Sequence, residues 1–318
     1  MQSRAVEIGA PSIDEHGQTM RLRLPISALL LILCSLALPS HADAADVLPA
    51  AIQEVRTELG NNDLNAAIDA AERSQEALPD DARTWFWSGR AYGMQAMQAN
   101  LLMKAKWAGR SQEAYEKAVA MDPTLTEARY DLMQYYLFAP GFLGGDREKA
   151  EAQVAEMARQ DFVWGKLGSA ALATKDQKPE AAEAALREAV EAAPDNLRAR
   201  YALSGFLQRQ TRWSDVRALW QSRLDASADV AVARYQLGRA AALSGTELEA
   251  GLAQLDALLA AAEYPENMSV GVAQWRRGLV LEKLGRRDEA IAALTIAAND
   301  PLAKTEAKAD FERVSEGS

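Results

Sequence analysis

A repeated spacing of small residues limits most strongly how this chain of 318 residues can fold. Ser204 and Gly238 lie 34 residues apart, and Gly278 continues the series. Twelve positions after each of them comes a member of a second series, which comprises Val216, Ala250 and Ala290. Self-similarity at a period of about 20 to 50 residues is typical of repeat proteins, in which each unit buries its apolar face against its neighbours.

Prolines divide the same region into units. Pro79, Pro123, Pro194 and Pro301 each follow an alanine-rich stretch, and proline is common just beyond the end of a helix. Within these stretches the apolar residues recur at helical spacing, and no alternating strand pattern is present after residue 45. The sequence therefore predicts an all-α chain of helices joined by short turns.

The order of residues within a unit resembles the tetratricopeptide repeat, as found in secreted or periplasmic bacterial proteins: a large residue, a small one, a turn between two helices, a buried alanine and a terminal proline. The resemblance implies a right-handed α-solenoid of about seven helix-turn-helix hairpins over residues 45–302. Residues 303–318 are expected to form a capping helix and tail, because the last hairpin would otherwise expose an apolar edge. The expected hairpins lie near 47–81, 82–125, 126–161, 162–196, 197–230, 231–265 and 270–302.

Two insertions interrupt the pattern. The first, at 93–110, adds about ten residues to the second hairpin and favours helix, so both helices of that hairpin are expected to be longer. The second is a loop at 139–146 that contains proline and glycine, and its tip residues Phe142 and Leu143 are expected to pack against something. Either the loop and the long hairpin cover one another, or Phe142 and Leu143 form a secondary contact with a partner.

The first 44 residues have the composition of a targeting segment. Arg21 and Arg23 precede an apolar run at 24–38, which is shorter than the roughly 20 residues that span a bilayer, and small residues at Ala42 and Ala44 follow it. We therefore predict a signal peptide at 20–44 and export across the inner membrane, into the periplasm. Residues 1–19 carry acidic side chains that do not suit a signal peptide, so Met20 is the expected start and 1–19 a doubtful extension.

Histidine and cysteine are confined to that segment, at His16, Cys34 and His41. After residue 44 the chain has no imidazole or thiol with which to build a serine or cysteine catalytic triad or a zinc site. Glycine-rich phosphate loops and calcium loops are also absent from the sequence. The formal net charge of −10 disfavours nucleic acid as a partner. We therefore expect no cofactor, no metal and no enzymatic activity.

The resemblance implies that the first helix of each hairpin lines a concave groove. Three residues before the small position, where the side chain is usually accessible, this chain has aromatic residues, and one residue after it has arginine or glutamine. Aromatic residues and arginine dominate the energetics of protein interfaces, although aromatic rings also fill space between hairpins. Lysine and asparagine, which would clamp a chaperone tail, are missing from these positions. The predicted groove comprises Phe86, Arg90, Tyr130, Gln134, Tyr201, Tyr235, Arg239 and Trp275.

These patterns favour a non-catalytic scaffold or adaptor of the bacterial cell envelope, which would bind a protein or a peptide with apolar and acidic side chains. One alternative is a self-assembling module that forms a homo-oligomer through the long second hairpin. The other is a hydrolase of envelope polysaccharides that uses paired carboxylates, for which the acidic residues show only the spacing of solvated helix faces. No association with the membrane is expected once the signal peptide is removed.

Overall fold

The computed structural model describes residues 48–265 and 268–317, so the expected extension at 1–19, the start at Met20 and the signal peptide at 20–44 lie outside the described residues. The described part of the chain contains fifteen α-helices, and none of them is long and apolar enough to cross a membrane. The helices are α1 (Ala50–Gly60), α2 (Leu64–Ala77), α3 (Ala82–Gln98), α4 (Leu101–Met121), α5 (Thr126–Phe138), α6 (Arg147–Gln160), α7 (Phe162–Lys175), α8 (Pro179–Ala192), α9 (Leu197–Arg209), α10 (Trp213–Asp225), α11 (Val230–Ser244), α12 (Leu248–Ala261), α13 (Val270–Lys283), α14 (Arg287–Ala298) and α15 (Lys304–Glu316).

Helices α1 to α14 form seven successive hairpins, because each odd-numbered helix packs along the even-numbered helix that follows it. Helix α15 packs on α14 and also contacts α13. Between residues 48 and 317 the described structure contains helices, turns and one short 3-10 helix, but no strand. The prediction of an all-α repeat solenoid with about seven hairpins and a further C-terminal helix is confirmed.

The first helices of the hairpins form a continuous row. Helix α1 contacts α3, α5 contacts α7, α7 contacts α9, α11 contacts α13, and α13 contacts α15. The remaining two junctions are joined by polar side chains: Arg90 of α3 meets Asp131 of α5, and Arg239 of α11 meets Gln208 of α9. The first helices therefore share one continuous surface along the hairpins, and we call this surface the first-helix face.

Close contact at the small positions holds the two helices together in the sixth and seventh hairpins. A Cβ atom added to Gly238 would lie 2.3 Å from Cγ of Leu255, and one added to Gly278 would lie 2.7 Å from Cγ of Leu294. Both leucines are fully buried on the second helix of their hairpin. Only a residue without a side chain permits this approach, since real Cβ contacts are not so short.

The long second hairpin keeps the same contact between residues that are further apart in the sequence. Gly89 lies beneath the ring of Tyr115, whose Cδ1 would be 2.6 Å from an added Cβ. The covering residue follows the small one by 16 or 17 positions in the sixth and seventh hairpins and by 26 in the second. Helices α3 and α4 have 17 and 21 residues, longer than the other helices described, so the expectation that the insertion lengthens both is confirmed.

The repeat pattern predicts that Ala250 is the buried residue of its hairpin, and this prediction is wrong. Ala250 is exposed, and Gly251 takes its place against α11, where an added Cβ would lie 2.2 Å from Cβ of Ala241. Helix α11 continues six residues past Gly238, whereas α9 and α13 continue five residues past their small positions. This extra residue shifts every following contact in the hairpin by one.

The prolines end helices as predicted, and their carbonyl groups also join neighbouring hairpins. Helices α2, α4, α8 and α14 end before Pro79, Pro123, Pro194 and Pro301. At the first three of these turns, the side chain six residues further along donates a hydrogen bond to the proline carbonyl. These bonds run from Trp85 Nε1 to Pro79 O (2.8 Å), from Arg129 Nη2 to Pro123 O (2.9 Å) and from Arg200 Nη2 to Pro194 O (3.0 Å).

The loop at 139–146 lies against the long hairpin, in agreement with the reading in which the two cover one another. A Cβ added to Gly144 would lie 2.1 Å from Oε1 of Gln112 on α4, and the Tyr135 hydroxyl donates to the Leu143 carbonyl. The expectation that both tip residues pack is wrong for Phe142, which is 83% exposed, while Leu143 is half-buried. The loop is closed by its own main-chain hydrogen bonds, so its shape does not depend on burial of that ring.

We expect Gly238→Ala to destabilise the protein by about 2 kcal/mol, because the added methyl group meets the branch point of the buried Leu255. The matched control is Gly109→Ala in α4, where nothing lies within 4 Å of the added Cβ. That variant should gain stability through the better helix propensity of alanine, by about 0.5 to 1 kcal/mol. Urea unfolding followed by circular dichroism measures both, and equal unfolding midpoints would show that the close contact is unimportant.

Candidate binding surface

The predicted groove residues all lie on the row of first helices, but its two ends differ in chemistry. At α3, Phe86 is only 2% exposed, and the guanidinium carbon of Arg90 lies 4.3 Å from the centre of its ring. Arg90 Nε donates to Oδ2 of Asp131 at 2.7 Å. Burial lowers the pKa of Arg90, but the attraction of Asp131 outweighs this effect and leaves the pKa raised. This end therefore presents a neutralised ion pair, and the ring of Phe86 lies beneath it.

Aromatic stacking joins α5 to α7 and α9. The rings of Tyr130 and Trp164 are tilted with their centres 5.3 Å apart, and the guanidinium of Arg198 lies 4.5 Å from the centre of the Trp164 ring. Arg198 is itself paired with Glu127. Gln134 is buried beside Tyr130, and its Oε1 has no hydrogen-bond partner in the described part of the chain. A buried amide oxygen without a donor is costly, so Gln134 lowers the stability of this junction.

Tyr201 and Arg239 lie together where α9 meets α11. The Tyr201 ring packs on Trp220 with centres 5.0 Å apart, and burial raises the pKa of Tyr201 to about 12. Arg239 Nη1 donates to Oε1 of Gln208 at 2.7 Å. Burial lowers the pKa of Arg239, and the neighbouring positive charge of Arg276 lowers it further.

Arg276, which the sequence analysis did not select, lies between two of the predicted aromatic residues. Its guanidinium carbon is 3.7 Å from the centre of the Trp275 ring, and its Nε donates to the Tyr235 hydroxyl at 3.5 Å. Trp275 Nε1 donates to Oδ2 of Asp310 on α15 at 2.7 Å. Trp275 therefore has two functions, since it anchors the last helix and supports a cation with its ring face.

Burial divides the eight predicted residues into two groups. Four are buried between hairpins, namely Phe86, Arg90, Gln134 and Tyr235, and four are half-buried at the first-helix face, namely Tyr130, Tyr201, Arg239 and Trp275. The aromatic rings thus fill space between the hairpins, as the alternative reading proposed, and the half-buried ones also reach the face. That these residues bind a partner stays a prediction, and so does a secondary contact at Phe142 and Leu143.

A third repeat position contributes to the face and was missed in the sequence. Five residues after the small positions Ser204 and Gly238 come Arg209 and Leu243, and Lys283 occupies the equivalent place on α13. All three side chains are exposed, and Leu243 retains 42% of its accessible surface. The positions three before, one after and five after the small residue are spaced four residues apart, so their side chains share one side of the helix. The periodicity that located the aromatic residues therefore also locates these.

The hairpins have the features by which the sequence resembled a known repeat. A small residue on the first helix lies under a large residue of the second, and successive small positions are 34 residues apart where the register is regular. The repeat is tetratricopeptide-like. In the described ranges 48–265 and 268–317, no group of three or more acidic, histidine or cysteine residues is placed to hold a metal ion.

Comparison with known proteins gives similarity in fold alone. No protein-family model matches the sequence, and no curated protein matches it. A tetratricopeptide repeat protein from Parabacteroides merdae is 12% identical with a TM-score of 0.46, over 83% of this chain and 97% of its own. The APC/C hetero-tetramer Cut9-Hcn1 is 14% identical with a TM-score of 0.44, over 85% of this chain and 50% of its own. Yeast Tom70 is 13% identical with a TM-score of 0.45, over 88% of this chain and 67% of its own.

We expect Asp131→Asn to destabilise the protein by about 3 kcal/mol, because it leaves the buried charge of Arg90 without a counter-ion. The matched control is Asp256→Asn, which breaks the more exposed pair with Arg277 and should cost less than about 1 kcal/mol. Both changes remove one negative charge, so their urea unfolding midpoints can be compared directly. Equal losses would contradict the view that this ion pair joins α3 to α5.

Proposed function

We propose that the protein is a non-catalytic scaffold of the bacterial cell envelope that binds a protein or peptide on its first-helix face. The observation that supports this most is the combination of exposed Leu243 with Arg209, Arg239 and Arg276 on three consecutive first helices. Arginine and aromatic residues are enriched at the energetically important centres of protein interfaces. Their fixed arrangement here favours binding, because little conformational entropy is lost when a ligand docks.

The location in the envelope is part of the proposal. It rests on the sequence of residues 20–44, with its basic start, short apolar run and small residues at the end. We propose the periplasm as the compartment. Cell fractionation tests this directly, because the processed protein should appear in the periplasmic fraction and should begin at residue 45 if cleavage follows Ala44. Recovery of the unprocessed chain from the cytoplasm would contradict the proposed location.

Binding is favoured over catalysis by the chemistry of the face. After residue 44 the chain has no histidine or cysteine, so the common nucleophile and base combinations are missing from the sequence. The carboxylates on the face, Asp131 and Glu127, are engaged by Arg90 and Arg198. A glycosidase would need two carboxylates that flank an open substrate site, and these two are occupied in structural ion pairs.

A single substitution on the face tests the proposal. We expect Leu243→Glu to reduce capture of an envelope partner at least tenfold, because it places a negative charge at an exposed apolar contact. The matched control is Ile296→Glu on α14, a second helix, where the isoleucine is 48% exposed. Tagged full-length chains would be expressed in their own host, cross-linked and purified, and the captured proteins quantified by mass spectrometry.

The outcome depends on the comparison of the two variants. A partner that is retained by the wild type and by Ile296→Glu but lost from Leu243→Glu supports the first-helix face. Equal capture by all three chains would contradict it, provided that circular dichroism shows the same helical content.

Exposure of Phe142 favours a second candidate function, self-association through the long second hairpin and the loop that covers it. A large, exposed aromatic ring on a loop that is closed by main-chain hydrogen bonds is the kind of residue that anchors an interface. If this function is correct, Phe142→Ser should shift the wild-type assembly to a monomer in analytical ultracentrifugation. Phe162→Ser, which changes another exposed phenylalanine at the start of α7, is the control. A wild-type monomer at all concentrations would contradict self-association.

A further inference from the structure

Helices α9, α11 and α13 carry cationic groups without acidic partners. In the described part of the chain, no carboxylate lies within 4.0 Å of the charged nitrogens of Arg209, Arg239, Arg276 or Lys283. Arg239 is bonded to an amide and Arg276 to a phenol, both of which are neutral acceptors. Two other arginines differ, because Arg90 on α3 is paired with Asp131 and Arg198 at the start of α9 is paired with Glu127 on α5.

The acidic residues beside this cluster are already engaged. Glu282 and Asp310 both pair with Arg313, and Asp310 also accepts a hydrogen bond from Trp275. Through Arg313 these carboxylates join α13 to α15, and neither of them pairs with Arg276. In a chain with a formal net charge of −10, a cluster of unpaired cations is therefore a local feature and does not follow from composition.

Holding these cations close together has a cost that an anion would relieve. Burial lowers the pKa of Arg239, and the positive charge of Arg276 lowers it further. Each effect disfavours the charged form, yet arginine stays protonated in proteins, so the free energy is stored as unfavourable electrostatics. A carboxylate placed between α11 and α13 would remove that repulsion and would form charge-assisted hydrogen bonds.

The face also has apolar and aromatic groups beside the cations. Leu243 lies one helical turn after Arg239 and is exposed, and the guanidinium of Arg276 lies over the Trp275 ring. Stacking of this kind leaves the edge of the guanidinium available for a carboxylate. These groups suit a peptide better than a small inorganic anion.

We propose that helices α9, α11 and α13 bind an extended acidic peptide segment through its internal carboxylates, with an apolar side chain of the segment against Leu243. Packed helices are about 8 to 10 Å apart, which corresponds to about three residues of an extended chain. Acidic side chains every second or third residue therefore match successive helices. This inference rests on the proposed function, since it names the ligand of the same face.

The test uses fluorescence anisotropy with a rhodamine-labelled peptide of ten alternating glutamate and leucine residues. The label is attached through the N-terminal amine and the C-terminus is an amide, so both terminal charges are removed and only internal carboxylates are probed. A second peptide has glutamine in place of every glutamate. Full-length wild-type protein should bind the glutamate peptide at least tenfold more tightly than the glutamine peptide, and the affinity should fall as salt rises from 50 to 300 mM.

The variants assign the binding to the cluster. Arg209→Gln combined with Arg239→Gln and Arg276→Gln should weaken binding of the glutamate peptide at least tenfold. The control combines Arg73→Gln, Arg159→Gln and Arg187→Gln, which remove the same charge from exposed ion pairs on second helices and should change affinity less than twofold. If the first triple variant does not fold, Arg209→Gln alone suffices, because this exposed side chain makes no described ion pair, and a loss of about fivefold is expected.

The results that would overturn the inference differ from those that would overturn the proposed function. Equal affinity for the glutamate and glutamine peptides, or equal losses in the two triple variants, would refute acidic recognition while partner capture could still depend on Leu243. Competition by inorganic polyphosphate at the same charge concentration as the peptide would identify a general anion surface and would also refute it. The proposed binding face fails if the wild type, Leu243→Glu and Ile296→Glu capture the same partners equally.

Discussion

The contact between a small residue on the first helix and a large side chain on the second is the interaction on which this solenoid depends. It brings the helices of a hairpin together at Gly89 and Tyr115, at Gly238 and Leu255, and at Gly278 and Leu294. In the fifth hairpin the same place is filled by Ser204, whose hydroxyl accepts a hydrogen bond from Trp220 Nε1 at 2.9 Å. Because the approach is fixed at one point in each hairpin, the residues three before and one after that point reach the same side in every unit.

This constraint explains why the insertion at 93–110 is accommodated. The added residues are divided between the end of α3 and the start of α4, so that Gly89 and Tyr115 still meet. The loop at 139–146 lies against α4 just after the insertion, through Gly144 and Gln112. An insertion placed between the small residue and the hairpin turn therefore extends the hairpin and leaves the rest of the stack in register.

The fold could be predicted almost completely from the sequence, whereas the binding surface could be predicted only in part. Small residues, prolines and helical periodicity are local signals, and they located the hairpins because each unit is largely determined by its own residues and its neighbours. A difference of one residue, such as the longer α11 that moves the buried position from Ala250 to Gly251, is too small for a repeat pattern to show. Pairing between helices is also invisible in the sequence: nothing marks Arg90 as engaged by Asp131 and Arg276 as unpaired.

The aromatic residues and the arginines of the first-helix face have linked functions. The rings of Tyr235 and Trp275 fill space between hairpins, and they also hold Arg276, which lies over the Trp275 ring and donates to the Tyr235 hydroxyl. The same arrangement at α3 ends differently only because α5 supplies Asp131. Aromatic packing therefore places Arg90 and Arg276 on rings, and one carboxylate on the next helix decides whether such a cation joins two hairpins or stays unpaired. This difference is why we propose α9 to α13, rather than α3 and α5, as the end that binds a ligand.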